Sequence, residues 1–197
     1  MAHEKTIWPG STQLAPVPAV LVGCGDGKTF KYNLITVAWA GTVCSDPAML
    51  AISVRPERFS FAPISQLKEF TVNLPPAHLA AELDRCGVIS GRDCDKFEVC
   101  HLTAVKGEKV AAPVVAECPV ALECRVKNEL SLGSHTLFLA EIVAVQVESA
   151  LIDAKGKFDI DQADLVAYAH GHYYRLGDCI GHFGYSVRRK PGSIVRK

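Results

Sequence analysis

The segment NLITVAWAGTVCSDPAMLAISVRPERFS, residues 33–60, decides how the chain is read. Its first run, Leu34-Ile35-Thr36-Val37-Ala38-Trp39-Ala40-Gly41, is β-branched and aromatic, then shrinks to Ala and Gly. That composition predicts a strand whose small-residue end lets a flat ligand lie close to the backbone. Residues 41–47 are expected to break the run. Met49 to Val54 predicts a second strand, which delivers Arg55 and Arg58 just before Ser60. Ser60 is expected to cap a helix over residues 61–68, where Phe61, Ile64 and Leu67 fall at helical spacing. Arginines beside a helix start suit a phosphate. Cys44 lies between the two strands, in a position to touch a ligand.

Working outward, Val17 to Cys24 predicts a first strand, with Asp26-Gly27 as a hairpin turn into the next. Gly23-x-Gly25-x-Gly27 fails as a dinucleotide loop, because the third glycine comes too early and Lys28 to Tyr32 is expected to continue as strand. Downstream, Phe70 to Leu74 predicts a strand stopped by Pro75-Pro76, and residues 77–86 a short helix with Gly87 as its C-cap. Residues 90–101 form an irregular, charged loop. From Val120 to Lys127 apolar and polar residues alternate, which predicts a strand with one wet face. Thr136 to Val147 is apolar on both parities except at Glu141 and Gln146, so it needs cover on both faces, a barrel interior on one and a helix or second subunit on the other, and a homodimer is expected. Short strands, hairpin turns and short helices with no repeated βαβ unit predict a mainly β, antiparallel barrel.

At 197 residues the chain has the length of one domain, here with an N-terminal arm over residues 1–13. Its 21 basic residues balance 21 acidic ones, and Arg188-Arg189-Lys190 is the only dense basic run, which argues against a nucleic-acid partner. Nearly uncharged runs such as Leu34 to Ser45 fall short of the ~20 residues of a membrane helix. The start, Met-Ala-His-Glu-Lys, carries no apolar signal region, and a cytoplasmic protein is expected. The 8 cysteines include no Cys-x-x-Cys and are expected to be reduced and mostly buried. His170-x-His172 lacks a third ligand for zinc, so no metal site is expected.

The pattern Asn33-x-x-Thr36-x-x-Trp39, then Ser45-Asp46-Pro47, then Ser53-Val54-Arg55-Pro56, resembles the flavin reductase-like, FMN-binding split-barrel family, and its flavoredoxin branch in particular. Ser90-Gly91-Arg92-Asp93-x-Asp95-Lys96-Phe97 agrees, as does Tyr173-Tyr174-x-Leu176-Gly177 running to Phe183-Gly184-Tyr185-Ser186; together they cover roughly residues 14–189. The resemblance implies a Greek-key split β-barrel and an FMN cofactor whose ring carries the redox chemistry. It implies a cofactor site drawn from Asn33, Thr36, Val37, Ala38, Trp39, Cys44, Ser53, Val54, Arg55, Ser60, Lys96 and Tyr173, with Lys96 directed at the phosphate. Many relatives carry Gly-Asp-His, a motif associated with nicotinamide binding, where this chain has Gly133-Ser134-His135; His135 remains as a possible nicotinamide contact. Two functions follow from the resemblance. One is an oxidoreductase that takes a hydride from NADH or NADPH and passes electrons to flavin or ferric iron. The alternative is a flavoredoxin-type electron-transfer protein reduced by a protein partner.

Overall fold

The computed structural model describes residues 3–187. Its frame is a seven-stranded, wholly antiparallel sheet that curls into a half-barrel. The strands in chain order are β1 (Val17–Pro18), β2 (Val20–Cys24), β3 (Asn33–Val37), β4 (Ala40–Ser45), β5 (Ala48–Val54), β6 (Glu69–Leu74), β7 (Ala104–Lys106), β8 (Pro113–Val115), β9 (Val120–Ser131), β10 (Thr136–Val147), β11 (Val166–Ala169) and β12 (His172–Arg175). In the large sheet the order is β3-β2-β6-β9-β10-β5-β4. The first predicted strand is cut in two at Ala19, because β1 leaves to pair with β11 while β2 stays between β3 and β6.

Side-chain alternation builds two cores from one sheet. Val20, Val22 and Cys24 of β2 point into the half-barrel with Ile35, Val37, Ile52, Phe70 and Phe138. Leu21 and Leu34 point the other way, onto Leu83 and Cys86 of helix α2 (Ala80–Val88) and Phe97 of helix α3 (Lys96–Val99). Helix α1 (Phe61–Leu67) seals the barrel interior through Ile64.

Several local expectations need correcting. Residues 28–32 form a turn, not strand: the Asp26 carboxylate accepts the N–H groups of Lys28 and Phe30, and Gly25 and Gly27 take positive φ to close it. The run 34–41 is two strands, because Ala38 and Trp39 bend the chain and residues 40–45 turn back to pair with β5 across the Asp46-Pro47 corner. Gly87 lies inside α2; Ile89, extended, ends that helix. The alternating strand is wet only in part. Glu123 is fully buried, because residues 107–112 fold over it and its carboxylate accepts the N–H groups of Glu108, Lys109 and Val110 and the Gln146 amide. In β10, Phe138 and Ala140 enter the barrel core while Leu137 and Leu139 on the opposite face stay half-buried. Five cysteines are buried and no disulfide forms among the described residues. The basic run Arg188 to Lys190 lies outside the described residues.

Candidate flavin cleft

The sheet curls far enough to bring β3 beside β5, and the Ser53 N–H donates to the Trp39 carbonyl across the seam. Along that seam opens a cleft of about 330 Å³. Its strand walls are Ile35, Thr36, Val37, Ala38 and Trp39 on one side and Ser53, Val54 and Arg55 on the other. Asp84, Gly87 and Val88 of α2 close one end, and His135, Tyr168 and Tyr173 line the rest. The Ala38–Trp39 bend has left the ladder, and among the described residues the N–H groups of these two have no turn or loop carbonyl partner. They are free to meet a ligand edge.

Gly87 sets the width of the α2 wall. A Cβ there would stand 3.1 Å from the Thr36 Cβ, tighter than ordinary contacts, so a larger residue would push α2 and β3 a few tenths of an ångström apart. The Thr36 hydroxyl donates to the Leu83 carbonyl, which ties the strand to the helix. Tyr173 donates its hydroxyl to Asp84 Oδ1 at 3.1 Å and packs on Tyr168 with ring centroids 5.4 Å apart. Burial, and then the Asp84 bond and charge, push its pKa up to about 12, so it stays a protonated donor at neutral pH.

A second cleft of similar size shares Ile35, Arg58 and Gly87 with the first. Arg58, Arg92, Lys96, Ser60 and Ser90 line it with one carboxylate, Glu57, so the first cleft opens into a pocket in which cations outnumber acids three to one. Arg92 donates to the Glu57 carbonyl, and the Arg55 guanidinium meets the Glu57 carboxylate at 3.1 Å. Among the described residues no carboxylate pairs with Arg58 or Lys96. Lys96 is only 4% exposed, and its ammonium donates to one carbonyl, that of Cys86, at 2.6 Å. Burial holds its pKa below the usual lysine value. A buried cation with a single neutral acceptor is costly to keep charged unless an anion arrives. The donor set therefore fits a phosphate.

The predicted site residues separate into three groups. Thr36, Val37, Ala38, Trp39, Ser53, Val54, Arg55, His135 and Tyr173 share the first cleft, and Ser60 and Lys96 the second. Asn33 lies behind the wall, buried, donating its amide to Ser60 Oγ at 2.7 Å. Ser60 therefore makes no side-chain cap to α1, contrary to expectation: its hydroxyl is turned to Asn33 and the pocket. Cys44 sits on β4 with its thiol on the Asp46 carbonyl and lines neither cleft. Sequence reasoning missed Asp84, Gly87 and Tyr168, which reach the cleft only through the docking of α2 and β11. Arg58 was legible as a cation beside the helix, but its place at the junction of two clefts was not.

At the open end of the first cleft the His135 ring leans on the Trp39 indole, and Ser134 Oγ lies 2.9 Å from His135 Nδ1. Burial and the nearby Arg55 charge hold the His135 pKa below the usual 6.5, only partly countered by Glu57. Among the described residues no group of three His, Cys, Asp or Glu is placed to hold a metal ion, and no helix is long and apolar enough to cross a membrane.

The half-barrel with its rim cleft defines a class. The chain belongs to the family of the flavin reductase like domain, whose model matches residues 12–177. Among solved structures it is similar to the flavoredoxin of Desulfovibrio vulgaris (Miyazaki F), at 32% identity and a TM-score of 0.86, over 94% of this chain and 100% of that one. A split-barrel-domain protein from Shewanella frigidimarina shares the fold, with a TM-score of 0.77 at 24% identity over 86% of each chain. The ferric-chelate reductase (NAD(P)H) of Archaeoglobus fulgidus is 25% identical over 134 residues, 68% of this chain and 71% of that protein. The fold is the split barrel.

Proposed function

We propose that the chain is an FMN-binding oxidoreductase, one flavin-binding domain behind the 1–13 arm, that takes electrons from NADH or NADPH and passes them to flavin or ferric iron. The observation that carries this reading is the junction at Arg58: a cleft flanked by Trp39, Tyr168 and Tyr173 joins a pocket in which, among the described residues, the buried Lys96 pairs with no carboxylate. Bound FMN would supply what no side chain here can, a ring that accepts a hydride and releases electrons one at a time. The chain's own part is to hold and tune. Arg58, Lys96, Ser60 and Arg92 would hold the phosphate, Ser53 and Arg55 the ribityl chain, and the Ala38 and Trp39 N–H groups the ring edge, where negative charge develops on reduction. Tyr173, protonated and fixed by Asp84, would pack at the α2 side.

Ser134 supports a second reading, a flavoredoxin-type carrier reduced by a protein partner. It stands where many relatives carry an acid, and its hydroxyl is turned to His135. Anaerobic stopped-flow mixing of the FMN-loaded protein with NADH or NADPH tests the first reading. Rapid loss of flavin absorbance is expected, and loss only with a protein donor selects the second. Flavin released by heat should chromatograph as FMN; recovery of FAD alone would overturn both.

A homodimer belongs to this reading. β4 is an exposed edge strand, and Leu137 and Leu139 leave the outer face of β10 half-covered. Such edges and faces invite a partner. Light scattering should give twice the chain mass.

A further inference from the structure

Beside the flavin cleft lies an apolar one of about 390 Å³, and the two share Ala38, Trp39 and Ser53. Its other walls include Leu14, Val17, Val43, Ala51 and Leu137. Trp39, 46% exposed, is thus the partition between a candidate cofactor slot and an open hydrophobic groove. Among the described residues, none after Leu137 lines this groove.

The segment 176–187, LGDCIGHFGYSV, presents the matching surface. It carries one carboxylate and no Lys or Arg, yet Ile180 and Phe183 stand almost wholly in solvent, with Leu176 and Val187 mostly so. Apolar residues displayed together on an arm with a single carboxylate mark an interaction surface. The arm also departs in a direction that favours another molecule. The β11–β12 hairpin has its His170–Gly171 turn in a third cleft that touches Trp39, whereas Arg175, where the arm begins, pairs with Val166 at the far end and meets Asp164. The strand that leads into the arm therefore runs away from the turn beside its own Trp39. Extended, it reaches about 40 Å, enough to cross a dimer face.

We propose that residues 176–187 of one protomer lie in the apolar groove of a second copy, with Ile180 and Phe183 as anchors against Val43, Leu137 and the outer face of Trp39. The flavin cleft is completed in trans, because the arm fixes the indole that forms its wall. This rests on the FMN-binding reading above and deepens it.

Heterodimer complementation tests the proposal. The full-length double variant Ile180→Ser/Phe183→Ser, whose changes are at exposed sites, should bind FMN at least about tenfold more weakly than wild type. Full-length Arg55→Ala/Arg58→Ala supplies a disabled site with an intact arm. Differently tagged heterodimers of the two should regain one tight FMN site each. No tight site in the heterodimer would mean the arm acts within its own chain, and wild-type affinity in the arm variant would mean it does not act at all; either overturns the proposal. A wild-type chain that binds no FMN would sink the underlying reading instead. The arm is then judged without flavin, by Phe183→p-benzoylphenylalanine in a mixture of ¹⁴N- and ¹⁵N-labelled protein. Photo-cross-links to β4 and β10 joining the two isotopes support the proposal, and links confined to one isotope contradict it.

Discussion

The imidazole of His135 lies 4.5 Å, centroid to centroid, from the indole of Trp39, at an interplanar angle of 40°. A pH-sensitive ring therefore touches the partition of the candidate site. Burial and Arg55 disfavour its charged form, so its protonation falls below pH 6.5 in the folded protein. In a Trp8→Phe background, Trp39 fluorescence should be quenched on acidification with a midpoint below 6.5, and His135→Asn should abolish the step. The unfolded chain takes up this proton first, so His135 erodes stability as pH falls through 6.5, with no further loss below its folded pKa.

Lys96 should show stability and binding pulling in opposite directions. Its folded pKa is depressed by burial, so the charged side chain costs stability at neutral pH. Lys96→Met should raise the apo protein's stability by about 1 kcal/mol or more, since a well-packed apolar chain replaces an unpaired buried ion. FMN affinity should fall roughly 10- to 150-fold with the lost charge-assisted bond. Chemical denaturation and flavin titration on one preparation check both.

Glu123 holds the 107–112 loop from beneath. Burial pushes its carboxyl up, but the Gln146 amide and the N–H groups of Lys109, Glu108 and Val110 outweigh it, and the pKa lies below the usual 4.5. Its contribution is therefore complete above about pH 4.5 and lost as pH falls through the depressed value. Glu123→Gln should cost about 1.5–3 kcal/mol, seen in urea unfolding at pH 7, and should flatten the acid limb of the stability profile.

Gly91 supports the second cleft by having no side chain. A Cβ there would stand 2.3 Å from Asn33 Oδ1 and 2.7 Å from the Phe59 ring, behind the Asn33–Ser60 bond. Gly91→Ala should cost about 1–3 kcal/mol by overpacking, measured by thermal melts, and should weaken FMN binding because Ser60 loses its anchor.

Much of this was legible in residues 33–60 because strand composition is a local signal: β3 and β5, and the arginines after β5, follow from β-branched runs and a polar break. The bend at Ala38–Trp39 was not legible. Small residues permit a turn without demanding one, and only the pairing of residues 40–45 with β5 imposes it. Ser60 has the identity of a cap, but an Asn 27 positions earlier claims its hydroxyl. Glu123 kept to the polar parity of its strand and was buried by a loop that alternation cannot see. Gly87 and Asp84 reached the cleft by helix docking, a tertiary event with no periodicity to announce it.

Arg58, where the two clefts meet, is expected to bind the phosphate of FMN, and fluorescence titration of wild type and Arg58→Ala with both FMN and riboflavin decides the matter. Arg58→Ala should lose roughly 10- to 150-fold in affinity for FMN and keep its affinity for riboflavin, which lacks the phosphate. Arg58→Lys should recover only part of the loss, having a point charge without the planar fork. An equal loss for both ligands, or no loss for FMN, would contradict it.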